Sequence, residues 1–185
     1  GNHDDPDAFA RVLWGEPASG PLHREDRVGG LRWLSLDSTV PGAPHGRITE
    51  AAAEWLRGRL ATPAPEGTIL ALHHPPVPVV QDAAGRWDLR GADLLEDAVA
   101  GSDVRLIVGG HFHQTMFTTL GGVPVAAATS LVAANDLTAG RTLRPHAAHG
   151  GFNLIQVYDE RIVVSSVPLD AGPGVLPPLP PGDRP

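Results

Sequence analysis

Three features of this 185-residue sequence predict an α/β fold. Two short apolar runs, Thr68–Leu72 and Val104–Val108, each end at histidines: His73-His74-Pro75-Pro76 follows the first and Gly109-Gly110-His111-Phe112-His113 the second. Between them, Ala92–Ala100 places Leu94, Leu95, Ala98 and Val99 at helical spacing, so strand, helix and strand alternate as in a crossover unit. After the second run the pattern changes to hairpins. Met116–Leu120 and Val123–Ala127 flank Gly121-Gly122, and Phe152–Tyr158 and Arg161–Val167 flank Asp159-Glu160.

The remaining elements follow from local chemistry. Asp7–Trp14 reads as a short helix with Phe9, Val12 and Leu13 on its apolar side, and Gly15–Arg27 as a loop. Val28–Asp37 reads as a glycine-interrupted hairpin or strand in which Leu34 and Leu36 alternate with Ser35. Pro41, Gly42, Pro44 and Gly46 make Ser38–Gly46 a loop. Thr49 is the expected N-cap of a helix through Leu60, with Ala52, Trp55, Leu56 and Leu60 on one face and Pro63 and Pro65 ending it. Gln81–Arg90 reads as a polar loop, a rim or a lid over whatever site the histidines form, and Leu131–Gly151 is loop-rich. One domain is expected over residues 1–170, with 171–185 a Pro/Gly-rich tail that lacks packed structure.

Composition narrows the function classes. A hydrophobic share of 42% with 19% charged residues supports a buried core and excludes a disordered composition. The net charge of −7 leaves no basic balance for general nucleic-acid binding. Small phosphorylated molecules stay compatible where a bound cation supplies positive charge locally. The absence of cysteine excludes disulfides and thiolate ligands, and accords with the cytoplasm. No apolar run reaches the ~18 residues of a membrane span.

In open α/β sheets, ligands bind at the carboxyl ends of the strands, where these histidines sit. If the backbone stays extended past Gly110, His111 and His113 face one side, and neutral imidazole is the commonest metal ligand. The alternative is two histidines on a solvent-facing strand end. Gly1-Asn2-His3-Asp4 adds an amide oxygen, an imidazole and a carboxylate, although a chain end frays by default. Pro75 and Pro76 push His74 to an extended conformation, where it reads as a packing residue or as support for a neighbouring ligand. His23, His146 and His149 read as surface or loop residues, the four tryptophans as packing, and Asn135-Asp136 has no assignment.

GNHD at 1–4, LHHPP at 72–76 and GGHFH at 109–113 resemble, in order, the last three motifs of the calcineurin-like metallophosphoesterases. Asp37-Ser38-Thr39-Val40-Pro41-Gly42, His45-Gly46, Trp55-Leu56 and Asn153–Tyr158 resemble one branch, the bacterial class III 3′,5′-cyclic-nucleotide phosphodiesterases. The resemblance extends to about Leu169. It implies a four-layer α-β-β-α sandwich and two divalent ions (Mn, Fe or Zn) that hydrolyse a phosphodiester, 3′,5′-cyclic AMP to 5′-AMP. On that resemblance Asn2, His73 and His111 ligate one metal, and His113 reaches the other. His3 contacts the phosphate and protonates the leaving oxygen, Asp4 orients its ring, and His45 and His74 are candidate substrate contacts.

The family's two earlier motifs are a departure. No D-x-H occurs, and the one G-D is Gly182-Asp183 in the tail. The sequence is therefore expected to be the later portion of an amino-terminally truncated domain, and inactive by itself. Other phosphomonoesterases, phosphodiesterases and nucleotide pyrophosphatases use the same site chemistry, and an inactive fragment or interaction module is the non-enzymatic alternative. The expected partner is a small phosphorylated substrate, a cyclic nucleotide first. A homodimer is a candidate assembly, and exposed sheet edges predict self-association.

Overall fold

In the computed structural model, which describes residues 1–140, 144–146 and 149–169, each apolar run of the sequence becomes a strand. The chain passes through α1 (Pro6–Trp14), β1 (Arg24–Val28), β2 (Leu31–Ser35), α2 (Glu50–Leu60), β3 (Thr68–Ala71), α3 (Ala92–Val99) and β4 (Val104–Gly109). It continues through β5 (Met116–Leu120), β6 (Val123–Ala127), β7 (Ala134–Asn135), β8 (Pro145–His146), β9 (Gly151–Val157) and β10 (Ile162–Pro168). Six strands form one mixed sheet in the order β1-β2-β3-β4-β6-β5. The inner four are parallel, and β1 and β5 pair antiparallel at the edges. β9 and β10 form a separate antiparallel pair, and β7 and β8 a two-residue ladder.

One face of the sheet carries the main core. Leu34, Leu36, Leu70, Leu72, Ile107 and Val125 pack with Leu56 and Leu60 of α2 and Leu95 and Val99 of α3. Each such side chain, fully withdrawn from water, contributes roughly 1.5–3 kcal/mol. The helices start where the sequence indicates. Thr49 Oγ1 accepts the Ala52 amide at 3.2 Å, and Asp5 Oδ1 accepts the Ala8 amide at 2.8 Å ahead of Pro6. Gly121 and Gly122 take φ of 55° and 83°, the two positive values a tight β5–β6 hairpin needs.

Three expectations change. Residues 24–27, read as loop, belong to strand β1. Its sequence Arg-Glu-Asp-Arg-Val has no apolar alternation because it is an edge strand, where charges discourage further pairing. Its charges pair along the strand, Arg24 with Asp26 at 2.9 Å and Arg27 with Glu25 at 2.7 Å. The apolar side foreseen for α1 is not its buried side: Val12 and Leu13 are 81% and 60% exposed, while Ala10 is buried. The 81–90 segment is not a solvated rim. It contains a 3-10 turn over Asp82–Trp87 and buries Gln81, Ala84 and Leu89. The tail expected over 171–185 lies outside the described residues. Among the described residues, no helix is long and apolar enough to cross a membrane.

The amino-terminal ends of the central strands are pinned by a buried ion pair. Arg32 at the start of β2 donates to Asp103 Oδ1 (2.7 Å), to Thr68 Oγ1 (2.8 Å), to the Thr62 carbonyl (3.0 Å) and to the Arg59 carbonyl. Asp103 Oδ2 accepts the Thr68 hydroxyl and the Ala64 amide, each at 2.8 Å. Removing one partner leaves the other charge buried alone, which costs about 3–5 kcal/mol. Asp103→Ala is expected to lower urea-unfolding stability by about that amount, and Arg32→Met together with Asp103→Leu to recover most of it.

Candidate metal centre

The opposite ends of β3 and β4 hold the histidines. Ala71 lies beside Val108 in the parallel register, and the pairing continues past both strands: the Leu72 amide donates to the Val108 carbonyl and the Gly110 amide to the His73 carbonyl, each at 3.0 Å. This continuation sets His73 next to His111. His73 Nε2 is 2.8 Å from Asn2 Oδ1 and 3.2 Å from His111 Nδ1. Between neutral rings at most one hydrogen is shared by these three atoms, so lone pairs are in excess. Nitrogen and oxygen ligands ~2.0–2.1 Å from one cation lie roughly 2.8–3.4 Å from each other, the spacing seen here. On the far side of the His111 ring, Nε2 is buried without a hydrogen bond of good geometry. The Trp87 backbone favours the protonated form of this ring, against the larger effect of burial. The donor set therefore fits a divalent cation.

His74 also lies close: its nitrogen is within 4.8 Å of those of His73 and His111. Its own bonds rule it out as a ligand. Nδ1 is 2.9 Å from Ser38 Oγ, and Nε2 is 3.2 Å from the Pro44 carbonyl. The Nε2 hydrogen goes to Pro44, and Nδ1 accepts the Ser38 hydroxyl, which leaves no free lone pair. The ring is fully buried and backs the other two, with centroids 4.8 Å from His73 and 4.3 Å from His111. Gly46 is the reason it fits: a Cβ there would lie 2.5 Å from the His74 ring.

Burial and mutual repulsion keep these rings neutral. His73 is pushed down to about 3 by burial, then by His74, the amino terminus and His111. His74 and His111 are each pushed down to about 4, again chiefly by burial. His113 is lowered less far, by partial burial and by His3.

The H-x-H segment is not extended. Phe112 N–H donates to the Gly110 carbonyl at 2.8 Å, closing a three-residue γ-turn on His111. His111 and His113 have φ of 66° and 53°, left-handed values that cost non-glycine residues on the order of 1–3 kcal/mol each. The turn, rather than strand alternation, sends His111 inward and leaves His113 exposed. His3 is exposed within electrostatic reach of His111 and His113. Asp4, expected to orient the His3 ring, pairs with the Gly1 ammonium, whose hydrogen bond holds its carboxyl below the usual range. His45 is half-buried in the loop before α2, outside the cluster. His23 lies half-buried in the loop before β1, where it packs on Trp55 at 5.0 Å and its Nδ1 accepts the Asp37 amide at 3.0 Å. Ser38 and Gly46 were missed as supports. A cleft of about 700 Å³ runs past Asn2 and His73 between α1 and the sheet, lined also by Trp14, Asp37 and Thr39.

The chain is similar to known proteins in fold and in sequence. Among solved structures, the fold matches GAP50, the anchor in the inner membrane complex of Plasmodium, over 85% of this chain and 52% of that one, at a TM-score of 0.50 and 15% identity. No family model matches the chain. More particularly, it is 47% identical over 175 residues to a probable cyclic nucleotide phosphodiesterase of Rhodococcus erythropolis, covering 92% of this chain and 58% of that protein. It is 44% identical over 175 residues to a cAMP/cGMP dual specificity phosphodiesterase of Mycobacterium tuberculosis, covering 93% of this chain and 55% of that protein. The chain is thus a relative of the bacterial cyclic nucleotide phosphodiesterases in the calcineurin-like superfamily, and it spans about half the length of the curated relatives it matches.

The depressed imidazole values carry a sign. Above the ordinary value of 6.5, His73, His74 and His111 are neutral folded and unfolded alike. Below it the unfolded chain takes up protons that the fold refuses, so stability falls with pH from about 6.5 and levels off only below about 3 to 4. Urea unfolding of the metal-free chain is expected to show this loss between pH 7.5 and about 4.5, and His73→Asn with His111→Asn to flatten it.

Proposed function

We propose that this chain carries the later portion of a dinuclear metallophosphoesterase centre that hydrolyses a phosphodiester, with 3′,5′-cyclic AMP as the leading substrate. The observation that supports this most directly is the convergence of Asn2 Oδ1, His73 Nε2 and His111 Nδ1 at ligand spacing, in a chain related to named cyclic nucleotide phosphodiesterases. In this reading Asn2, His73 and His111 hold one divalent ion (Mn, Fe or Zn), and exposed His113 reaches a second. Such a pair, when bound, supplies Lewis acidity: it neutralises phosphoryl charge and activates water. The six-stranded sheet with α2 and α3 would be one half of a four-layer sandwich, and β9–β10 part of the facing sheet.

The protein's own groups divide the remaining work. His3, solvent-accessible and within electrostatic reach of His113, would hold the phosphate and return a proton to the leaving oxygen. Asp4 is beside it to orient the ring once free of the Gly1 amine. His74 fixes the two ligand rings from behind through Ser38 and Pro44. His45 is the candidate for contact with the far side of a substrate. The cytoplasm is the proposed compartment. A homodimer is the proposed assembly, because Val12, Leu13 and Leu154 leave apolar surface uncovered.

The 185 residues contain no D-x-H, and Gly182-Asp183 is their one G-D. They give the first ion three ligands and the second only His113. One tightly held ion per chain is therefore expected by metal analysis, with phosphodiesterase turnover near background. Joining an aspartate-bearing D-x-H and G-D segment in front of Gly1 should bring turnover with Mn²⁺. In that protein His111→Ala or His113→Ala should abolish it, and His3→Ala should cut it by ~100-fold or more while sparing metal content. Parallel assays with 3′,5′-cAMP, 2′,3′-cAMP and aryl phosphates rank the substrates. Turnover by the 185-residue chain that survives His111→Ala would refute the assignment.

A further inference from the structure

We infer that Asn135 is the positioning residue of the H-x-H turn: it holds the segment in its left-handed form and so fixes where the His111 and His113 rings point. Two successive carbonyls of the turn are taken by this one residue. Its side-chain Nδ2 donates to the Phe112 carbonyl at 2.7 Å, and its backbone amide donates to the His113 carbonyl at 2.8 Å. Phe112 is the residue between the two with positive φ, so the side-chain bond acts at the centre of the strained segment. Left-handed non-glycine residues persist only where their surroundings over-determine them. Here the surroundings amount to Asn135, a 3.3 Å bond from Thr129 Oγ1 to the His113 carbonyl, and the burial of the Phe112 ring.

The segment that carries Asn135 is itself tied back to the same turn. Gln114, which follows His113, donates to Gln81 Oε1 at 2.8 Å, and Gln81 donates to the Asp136 carbonyl at 3.1 Å. Both glutamines are buried. Asp136 pairs with Arg144, and its amide donates to the Arg144 carbonyl at 2.9 Å. The bonds form a closed circuit: turn, Gln114, Gln81, Asp136, Asn135, and back to the turn. Within it, Asn135 touches the backbone of the H-x-H segment through its side chain.

The consequence for metal affinity rests on the proposed centre, whereas the positioning role does not. Asn135→Asp keeps the shape and loses the donor, Asn135→Ala removes the group, and Asn135→Gln keeps an amide donor. In the metal-free 185-residue chain, the Asp and Ala variants should speed amide exchange at Phe112 by ~10-fold or more and shift the ring ¹H–¹⁵N signals of His111 and His113, with β3 and β4 amides unchanged as the internal control. Calorimetric titration with Mn²⁺ should show affinity ~10–100-fold weaker in both, with Asn135→Gln nearer to wild type. Unchanged Phe112 exchange and unchanged ring signals in Asn135→Asp would overturn the inference. So would a loosened turn with Mn²⁺ affinity equal to wild type. A wild-type chain that takes up no Mn²⁺, while the exchange and ring differences hold, would sink the metal reading and leave Asn135 as the positioning residue.

Discussion

Parallel pairing of β3 with β4 is the constraint on which the rest depends. Because Ala71 is set against Val108 and the ladder runs on to Gly110 and His73, two histidine segments 38 positions apart meet edge to edge. Slipping the register by one residue would reverse which face each side chain occupies, moving Leu70 and Ile107 out of the core and His73 away from His111. Core and site are thus set by one register. Arg32, Thr68 and Asp103 tie β3 and β4, together with β2, at their other ends. A polar cluster stands at each end of the strands with an apolar layer between. One cluster is fully paired and the other is left with unshared lone pairs.

That difference explains the electrostatics. The Arg32–Asp103 cluster balances its charge internally, so burial there is offset by hydrogen bonds to every neighbour. Among the described residues, the histidine cluster has no anion within its hydrogen bonds, so burial makes the rings refuse protons. A neutral imidazole at physiological pH is the form that can give its lone pair away. His74 shows the contrast inside one cluster, since Ser38 and Pro44 use both of its nitrogens and it can only support.

Much of this was legible because local chemistry and burial agree. Thr68–Leu72, Val104–Val108 and Val123–Ala127 are apolar on both faces and lie inside a parallel sheet, so their runs are unmistakable. Thr49 before Ala52 and Gly121-Gly122 between two β-prone runs are signals with a mechanism. β1 was illegible because an edge strand has little to bury, and its charges speak for solvent rather than for pairing. The burial of Gln81 is illegible for a different reason: its partners, Gln114 and the Asp136 carbonyl, are far away in sequence. His111 and His113 do not share a face as strand alternation would have it: the turn sends His111 inward and leaves His113 exposed. Strand alternation would have required extended backbone, and no residue pattern within five positions announces a γ-turn held by an asparagine 23 residues on.

The donors at the strand ends are unequal, and the fold explains why. Asn2, His73 and His111 come from three separate segments, and two of them are fixed by the sheet register itself. His74 stands behind them with both nitrogens bonded, so each ring has few ways to move. His113 has none of this support. It is exposed, and its carbonyl rather than its ring is what Asn135 and Thr129 hold. Sheet geometry can enforce ligand positions only for the residues that immediately continue a ladder, and His113 is one turn beyond. Its ring direction is set by the conformation of the turn, which makes β7 and Asp136, and not the central strands, the segment that governs how the outer part of the cluster is formed.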